Sequence, residues 1–345
     1  MAEIVMADDG IAFDGDALAT GPLGGAETAF ISLAEALAAR GHNVTVHNLC
    51  SAPMDRNGVS WEPLIGGLPD TADMYIANRG DQLLPLVRRA KTRVFWIHNP
   101  AGYLKKWRYV SKLWRTRPMV VFSSNFHAGS FPGWVPSGGG ITIPYGISQP
   151  FHAVDPPAAP PAPRAVFTSS PMRSLDWLLN LWVAEIQPRV TGAELHVFSS
   201  PKTYGEHGDA RASVMSAVLD RAVALADKGV VLRNPLPKRD LAAELATFRA
   251  LLYRGDPGET YCLSVGEAQA SGVPSIVQDI GCVAERVVDG VTGSVATDDR
   301  DFAEKACRLL TDDALWHDQH RASLERQRSW RWDDAAAAFE KLMAP

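Results

Sequence analysis

The feature that most constrains this chain is an alternation of short β-branched runs with longer helix-patterned stretches, which occurs twice and is broken once by proline. The first half opens with a strand expected over 4–7, a loop rich in Gly and Asp, a helix over 26–40 closed by Gly41, and the alternating run Asn43-Val-Thr-Val-His-Asn48. A glycine just past the last apolar residue stops a helix, and strand, helix and strand in so short a span make a βαβ unit, which builds parallel sheets. Further strands are expected at 74–77, 93–98, 119–123 and 140–144. Residues 155–164, DPPAAPPAPR, hold five prolines in ten positions, a composition that neither continues a helix nor enters a central strand. Beyond it the alternation resumes, with strands expected at 165–168, 194–198, 230–233, 251–253 and 275–278, helices between them, and closing helices from Asp301 onward. The fold class expected is α/β: one βα domain over 1–154, a linker at 155–164 and a second βα domain from 165. In parallel sheets ligands lie at the carboxyl ends of the strands, so the expected site is a cleft between the two domains.

The length of 345 residues agrees with about two domains. Apolar residues make up 46% and charged residues 21%, which excludes a disordered chain. The net charge of −5 is too mild to argue for an acidic partner or for nucleic acid, and no nucleic-acid partner is expected, but its distribution is uneven. Between Asp81 and Asp155 lie 73 residues with no carboxylate and ten Lys or Arg, so this segment is +10 and the remainder −15. Cys50, Cys262, Cys282 and Cys307 show no metal-binding spacing and no disulfide framework, and a cytoplasmic location is expected. No signal peptide or membrane-spanning run is expected.

Gly21-Pro-Leu-Gly24-Gly25-Ala-Glu27 falls after a strand and before a helix, where glycine lets backbone approach a ligand and free helix amides favour a phosphate; a loop that merely turns is the plainer alternative. It is not a dinucleotide fingerprint, and strand two ends in Asn48 with no acid to hold a ribose. Glu259 and Glu267 bracket a second loop-to-helix junction eight positions apart. At the carboxyl edge of a sheet, two such acids supply fixed acceptors for a polyhydroxylated ligand, although spacing alone fits two surface acids equally. Asp8, Asp9, Asp14 and Asp16 are close in sequence but lack the other ligands of a calcium loop, and no metal is expected.

Taken together the motifs resemble the GT-B glycosyltransferases, in particular glycosyltransferase family 4. The family's Glu-x7-Glu and the following Ala-x-Ala-x-Gly-x-Pro stand at Glu259 to Pro274; Gly281 and Glu285, then Asp289, Gly290 and Gly293, match its later motifs. Gly24 to Glu27 match its G-G-A-E, and Ile143-Pro-Tyr-Gly-Ile147 its inter-domain pattern. The resemblance implies two Rossmann-like domains, the first binding acceptor and the second a nucleotide sugar, with a terminal helix over 326–345 returning to the first. It implies that Glu259 contacts donor-sugar hydroxyls, that Glu267 holds the ribose, that Thr260, Tyr261, Cys262 and Leu263 line the donor site, and that Gly24 and Gly25 lie against the diphosphate. The family places an Arg and a Lys on the first loop of the second domain; here Arg173 takes the Lys position and the Arg position is uncharged, so one cation is secured. Lys202, on the next loop, is a candidate replacement, an ordinary exposed lysine being the alternative. His98, ending a buried-type strand, falls where relatives carry a histidine near the donor sugar; a histidine held by backbone is the alternative, and His127 is expected to start a helix, with solvent as one possible environment.

The expected activity is retaining transfer of a hexose from a nucleoside diphosphate sugar, without a metal or other cofactor, to a glycan, lipid-linked or small-molecule hydroxyl. A sugar phosphorylase, a nucleotide-sugar epimerase and a catalytically impaired nucleotide-binding scaffold are the alternatives. In Leu104-Lys-Lys-Trp-Arg-Tyr-Val-Ser-Lys-Leu-Trp-Arg115, Leu104, Trp107, Val110 and Trp114 make one helical stripe and Lys105, Arg108, Lys112 and Arg115 a basic one. Three readings follow: docking on an anionic membrane, presenting a basic face to an anionic acceptor, or packing with a solvated basic face.

Overall fold

The computed structural model describes residues 1–200 and 212–343. The chain divides into two units, one of residues 1–20, 25–146 and 331 onward, the other of 21–24 and 147–330. The first is built on an eight-stranded sheet of β1 (Glu3–Asp8), β2 (Asn43–Asn48), β3 (Met54–Arg56), β4 (Val59–Pro63), β5 (Thr71–Asn78), β6 (Arg89–Trp96), β7 (Met119–Phe122) and β8 (Gly139–Thr142). The strands run in the order β3-β4-β2-β1-β5-β6-β7-β8, all parallel except the β3–β4 pair. β3 and β4 were not read from the sequence, because Met54–Arg56 is three residues long and Val59–Pro63 ends in proline. The helix Gly25–Ala39 buries Ala29, Phe30, Ile31, Leu33, Ala34 and Leu37 in this unit.

Among the described residues the second unit holds six parallel strands, β9 (Arg164–Phe167), β10 (Glu194–Phe198), β11 (Val230–Arg233), β12 (Ala250–Leu252), β13 (Ser275–Gln278) and β14 (Gly293–Ala296). Their order is β11-β10-β9-β12-β13-β14. The strand interiors are almost wholly apolar, as expected of strands covered on both faces. β14 escaped the sequence pattern because it is introduced by a turn: Asp289 Oδ1 accepts from Val295 N at 2.9 Å, and Gly293 has φ 143°. A Cβ on Gly293 would stand 2.0 Å from the Ser275 carbonyl oxygen, so Asp289, Gly290 and Gly293 set the close approach of β14 to β13.

The chain passes between units at Gly146–Ile147, earlier than the proline-rich 155–164, which lies inside the second unit. The reason is packing: Phe151, on the helix Gln149–Ala153, is fully buried in that unit's core, so the chain is anchored before the prolines begin. The closing segment from Arg331 groups with the first unit. There the helix Trp332–Glu340 buries Trp332, Ala335, Ala336 and Phe339, with Phe339 edge-on to Trp96 at 5.4 Å and Trp332 stacked on Tyr145 at 6.0 Å. Arg40 binds Glu340 and Asp333, and Arg40, joined by His42, holds the Glu340 carboxyl down at about 2 against the upward pull of burial. Among the described residues no helix is long and apolar enough to cross a membrane.

Candidate functional site

The carboxyl edge of the second sheet gathers charge in a way its apolar interior does not. Glu259, 7% exposed, lies on the loop after β12; the Arg173 guanidinium, on the loop after β9, ion-pairs with its Oε2, and the Tyr253 hydroxyl donates to the same oxygen at 2.8 Å. Burial, and after it Glu259, push the Tyr253 phenol above its ordinary value, so it stays protonated and serves as a donor. Arg173 is raised above its ordinary value by Glu259, which outweighs burial, and remains charged. Tyr253 was missed by sequence reasoning; its signal was a tyrosine ending a strand six positions before Glu259.

The Glu259 loop is held by backbone geometry. Gly281, at φ 67°, comes so close that a Cβ there would stand 2.3 Å from the Asp256 carbonyl oxygen and 3.0 Å from that of Glu259, and Cys282 N donates to the Glu259 oxygen at 3.1 Å. Ser174, which follows Arg173, is at φ 63° and its hydroxyl bonds the Gly255 carbonyl at 2.9 Å, tying the two loops together. Left-handed backbone at a non-glycine residue is costly and clusters where side chains must be aimed.

Cys262 has the same conformation, φ 64°, and precedes the helix Leu263–Ala270, whose N-terminus has no side-chain cap. Cys262 and Tyr261 are 3% exposed: the thiol is packed in the core and pushed up by burial, and the Tyr261 ring lies under Arg286 at 4.2 Å. Of the stretch 260–263, then, the side chains of Tyr261 and Cys262 point into the protein, and what the loop offers a ligand is the backbone opening the helix at its N-terminus. Glu267, 3% exposed on that helix, receives Lys238 Nζ on Oε1 at 2.6 Å. Lys238 opens the helix Lys238–Leu245. Lys238 follows Pro235-Leu-Pro237 directly, and no motif marks it in the sequence. A cavity beside it is lined by Thr168, Phe198, Ser199, Leu236 and Lys238, with Leu23 of the segment that groups with this unit. Lys202 lies outside the described residues.

In the first unit the site residues are more tied up than expected. Gly25 opens the helix Gly25–Ala39, whose buried Glu27 is engaged by Arg79 Nη1 at 2.8 Å, while Gly24 groups with the second unit. Arg79, itself at φ 62°, also binds Asp8 at 2.8 Å. Asp8 accepts from Asn78 Nδ2 at 2.5 Å, which leaves Asn78 Oδ1 as the acceptor facing His98 Nε2 at 2.6 Å. His98 therefore carries its proton on Nε2, and Nδ1 accepts from the Tyr145 hydroxyl. Burial, then Arg79 and His127, hold the imidazole well below its ordinary value, so it is neutral. Both ring nitrogens are committed within the unit, and His98 meets a ligand only by exchanging one of these partners. His127 does not face solvent: it is fully buried, with Nδ1 accepting from Ser123 N at 3.2 Å and Nε2 donating to Asn99 O at 2.9 Å.

The basic segment departs further from expectation. Its helix is Trp107–Thr116, and its buried residues are Tyr109 and Leu113, one turn apart, not the tryptophans. Leu104 is buried before the helix, while Trp107 is 79% and Trp114 64% exposed. Lys112 binds the buried Asp81 at 2.5 Å and Arg108 approaches it at 3.6 Å, which anchors part of the basic stripe; Lys105 and Arg115 are exposed.

Residues 162–312 match the family model of glycosyl transferases group 1. No curated protein matches the sequence. Among solved structures, sucrose-phosphate synthase from Thermosynechococcus elongatus superposes with a TM-score of 0.73 at 15% identity, covering 98% of this chain and 97% of that one. HepE from Anabaena, solved with UDP and glucose, gives 0.71 at 12% identity over 99% of both chains. WaaG, described as a glycosyltransferase of lipopolysaccharide biosynthesis, gives 0.66 at 12% identity, again over 99% of both. Residues 162–312 thus match a group 1 glycosyl transferase domain, and the chain shares the two-domain GT-B fold of these structures along its whole length.

Proposed function

We propose that the protein is a retaining glycosyltransferase that moves a hexose from a nucleoside diphosphate sugar to a hydroxyl on a glycan, lipid-linked or small-molecule acceptor. The observation that carries the reading is the Glu259–Arg173–Tyr253 cluster at the sheet's carboxyl edge, eight residues before Glu267 and inside the group 1 domain. When a hexose leaves a nucleoside diphosphate, negative charge grows on the β-phosphate, and fixed positive groups aimed there stabilise the transition state without reorganising. Arg173 and the uncapped amides at Leu263 have that chemistry, and Glu259, oriented by Tyr253, has acceptor capacity for sugar hydroxyls. With the acceptor proton passing to the leaving phosphate, the reaction needs no protein base, and with Arg173 meeting the charge it needs no metal. HepE, of the same fold, has been solved with UDP-glucose, which supports including UDP-sugars among the donors to be tried.

The carboxylate-free segment over 82–154, with exposed Lys105 and Arg115 beside exposed Trp107 and Trp114, supports an anionic acceptor or peripheral contact with an anionic membrane that presents it. Melting shifts with UDP-, GDP- and ADP-sugars test the donor, and loss of slow donor hydrolysis in Glu259→Ala and Arg173→Ala tests the site. An absence of any shift defeats the transferase reading; full hydrolysis by either variant defeats the site. Donor turnover unchanged by EDTA is expected, and metal-dependent turnover overturns that part.

A further inference from the structure

Lys238 stands where a lysine is poorly placed. It is the first residue of its helix, so its ammonium sits at the positive end of the helix dipole, where anions and not cations are stabilised. Its side chain is nonetheless only 16% exposed, held by Glu267 at 2.6 Å and lying 5.9 Å from the Phe151 ring centroid. A buried ion pair adds little stability over an apolar pair of similar size. A cation kept against the local dipole therefore points to a role in the site, since conflicts between local preference and structure concentrate at functional positions.

Its surroundings say which role. Thr168, Ser199 and Lys238 follow β9, β10 and β11, three adjacent strands, and share one cavity whose apolar wall includes Phe198 and Leu236. An apolar wall beside convergent polar groups suits a planar base with a hydroxylated sugar attached. Glu267 is joined to that cavity through Lys238, and one ammonium on Oε1 does not exhaust its acceptor capacity.

Resting on the nucleotide-sugar reading above, we propose that Lys238 is a positioning residue of the donor site that acts through Glu267. It fixes the carboxylate in the orientation that accepts from the vicinal hydroxyls of a ribose. It also cancels a buried negative charge that would repel a diphosphate brought in by the same nucleotide. Lys238 is thus the second positive group of a site whose first loop supplies only Arg173.

The test is calorimetric binding of UDP, GDP and ADP, each beside its own nucleoside, to wild type, Lys238→Met, Lys238→Arg, Glu267→Gln and the Lys238→Met/Glu267→Gln double variant. Lys238→Met is expected to weaken the preferred diphosphate about tenfold or more, and its nucleoside less, because the uncompensated charge acts on the phosphates. Lys238→Arg restores most of the affinity, and the double variant binds no more weakly than Glu267→Gln alone. Equal losses for nucleoside and diphosphate, undiminished binding by Lys238→Met, or losses that add in the double variant each overturn the proposal. Lys238→Gln, which keeps a donor without the charge, takes the place of Lys238→Met if the latter does not fold. If wild type binds none of the three diphosphates, the donor reading itself falls; if it binds one and Lys238→Met binds it as well, only the role of Lys238 does.

Discussion

At the scale of single residues, the second unit's candidate site is organised around one oxygen. Glu259 Oε2 takes both Arg173 and the Tyr253 hydroxyl, so removing the phenol oxygen leaves the carboxylate held from one side only. Tyr253→Phe is expected to keep the fold and to slow donor hydrolysis about tenfold to a hundredfold, the worth of a hydrogen bond to a charged group. An unchanged rate removes Tyr253 from the site. His127 yields a prediction of another kind. Burial, countered only in part by its bond to Asn99 O, lowers its pKa from 6.5 to about 4. The unfolded chain then binds a proton that the folded one refuses between these values, so stability is lost as pH falls from about 6.5 towards 4, by about 3 kcal/mol at most. Urea midpoints measured across that window should drop more steeply in wild type than in His127→Gln. His98, His47 and His320, all held below their ordinary values chiefly by burial, slope the same way and contribute to the dependence that survives.

At the scale of elements, what was legible in the sequence is what periodicity and glycine encode. The parallel strands around the Glu259 loop stand out because they are buried on both faces and read as unbroken apolar runs. Glu259, Glu267 and Arg173 were legible because a motif fixes their order along the chain. Lys238 and Tyr253 were not, since their role depends on which strands are neighbours, and spacing does not record that. Gly293 shows the opposite case of a motif residue whose reason is steric: at φ 143° and 2.0 Å from the Ser275 oxygen, a Cβ has no room. Gly293→Ala is expected to cost about 2–4 kcal/mol in chemical denaturation, from strained backbone together with a displaced strand, and a loss below 1 kcal/mol refutes the assignment.

The basic helix misled because its apolar spacing is satisfied by two different faces. Trp107, Val110 and Trp114 recur at helical intervals, yet Tyr109 and Leu113 are the pair the core receives. Since Lys112 neutralises the buried Asp81, its removal would disturb the fold, and the informative variant spares it. A Trp107→Ser/Trp114→Ser/Lys105→Gln/Arg115→Gln protein is expected to lose co-sedimentation with phosphatidylserine vesicles while wild type retains it. Equal binding by the two proteins sinks the membrane contact.

At the scale of the whole molecule, the chain is two cores of unequal make-up. The second is contiguous apart from residues 21–24, whereas the first is closed by residues from both ends of the chain. Helix Trp332–Glu340 brings Trp332 and Phe339 against Tyr145 and Trp96, and Gly146 is so near that a Cβ there would stand 2.2 Å from Trp332 N. Burying two aromatic side chains stabilises by about 3–6 kcal/mol together, which at this domain size corresponds to about 10 °C or more in melting temperature. Because those contacts all lie in the first unit, truncation after Trp330 should strike it selectively, while a nucleotide bound at the site proposed in the second should raise only the second. Calorimetric melting of the truncated chain is therefore expected to show one transition lowered by about 10 °C or more and a separate one that a nucleoside diphosphate still raises. A single transition that moves as one under both changes would mean that the two cores melt cooperatively, and the independence argued from their separate packing would fail.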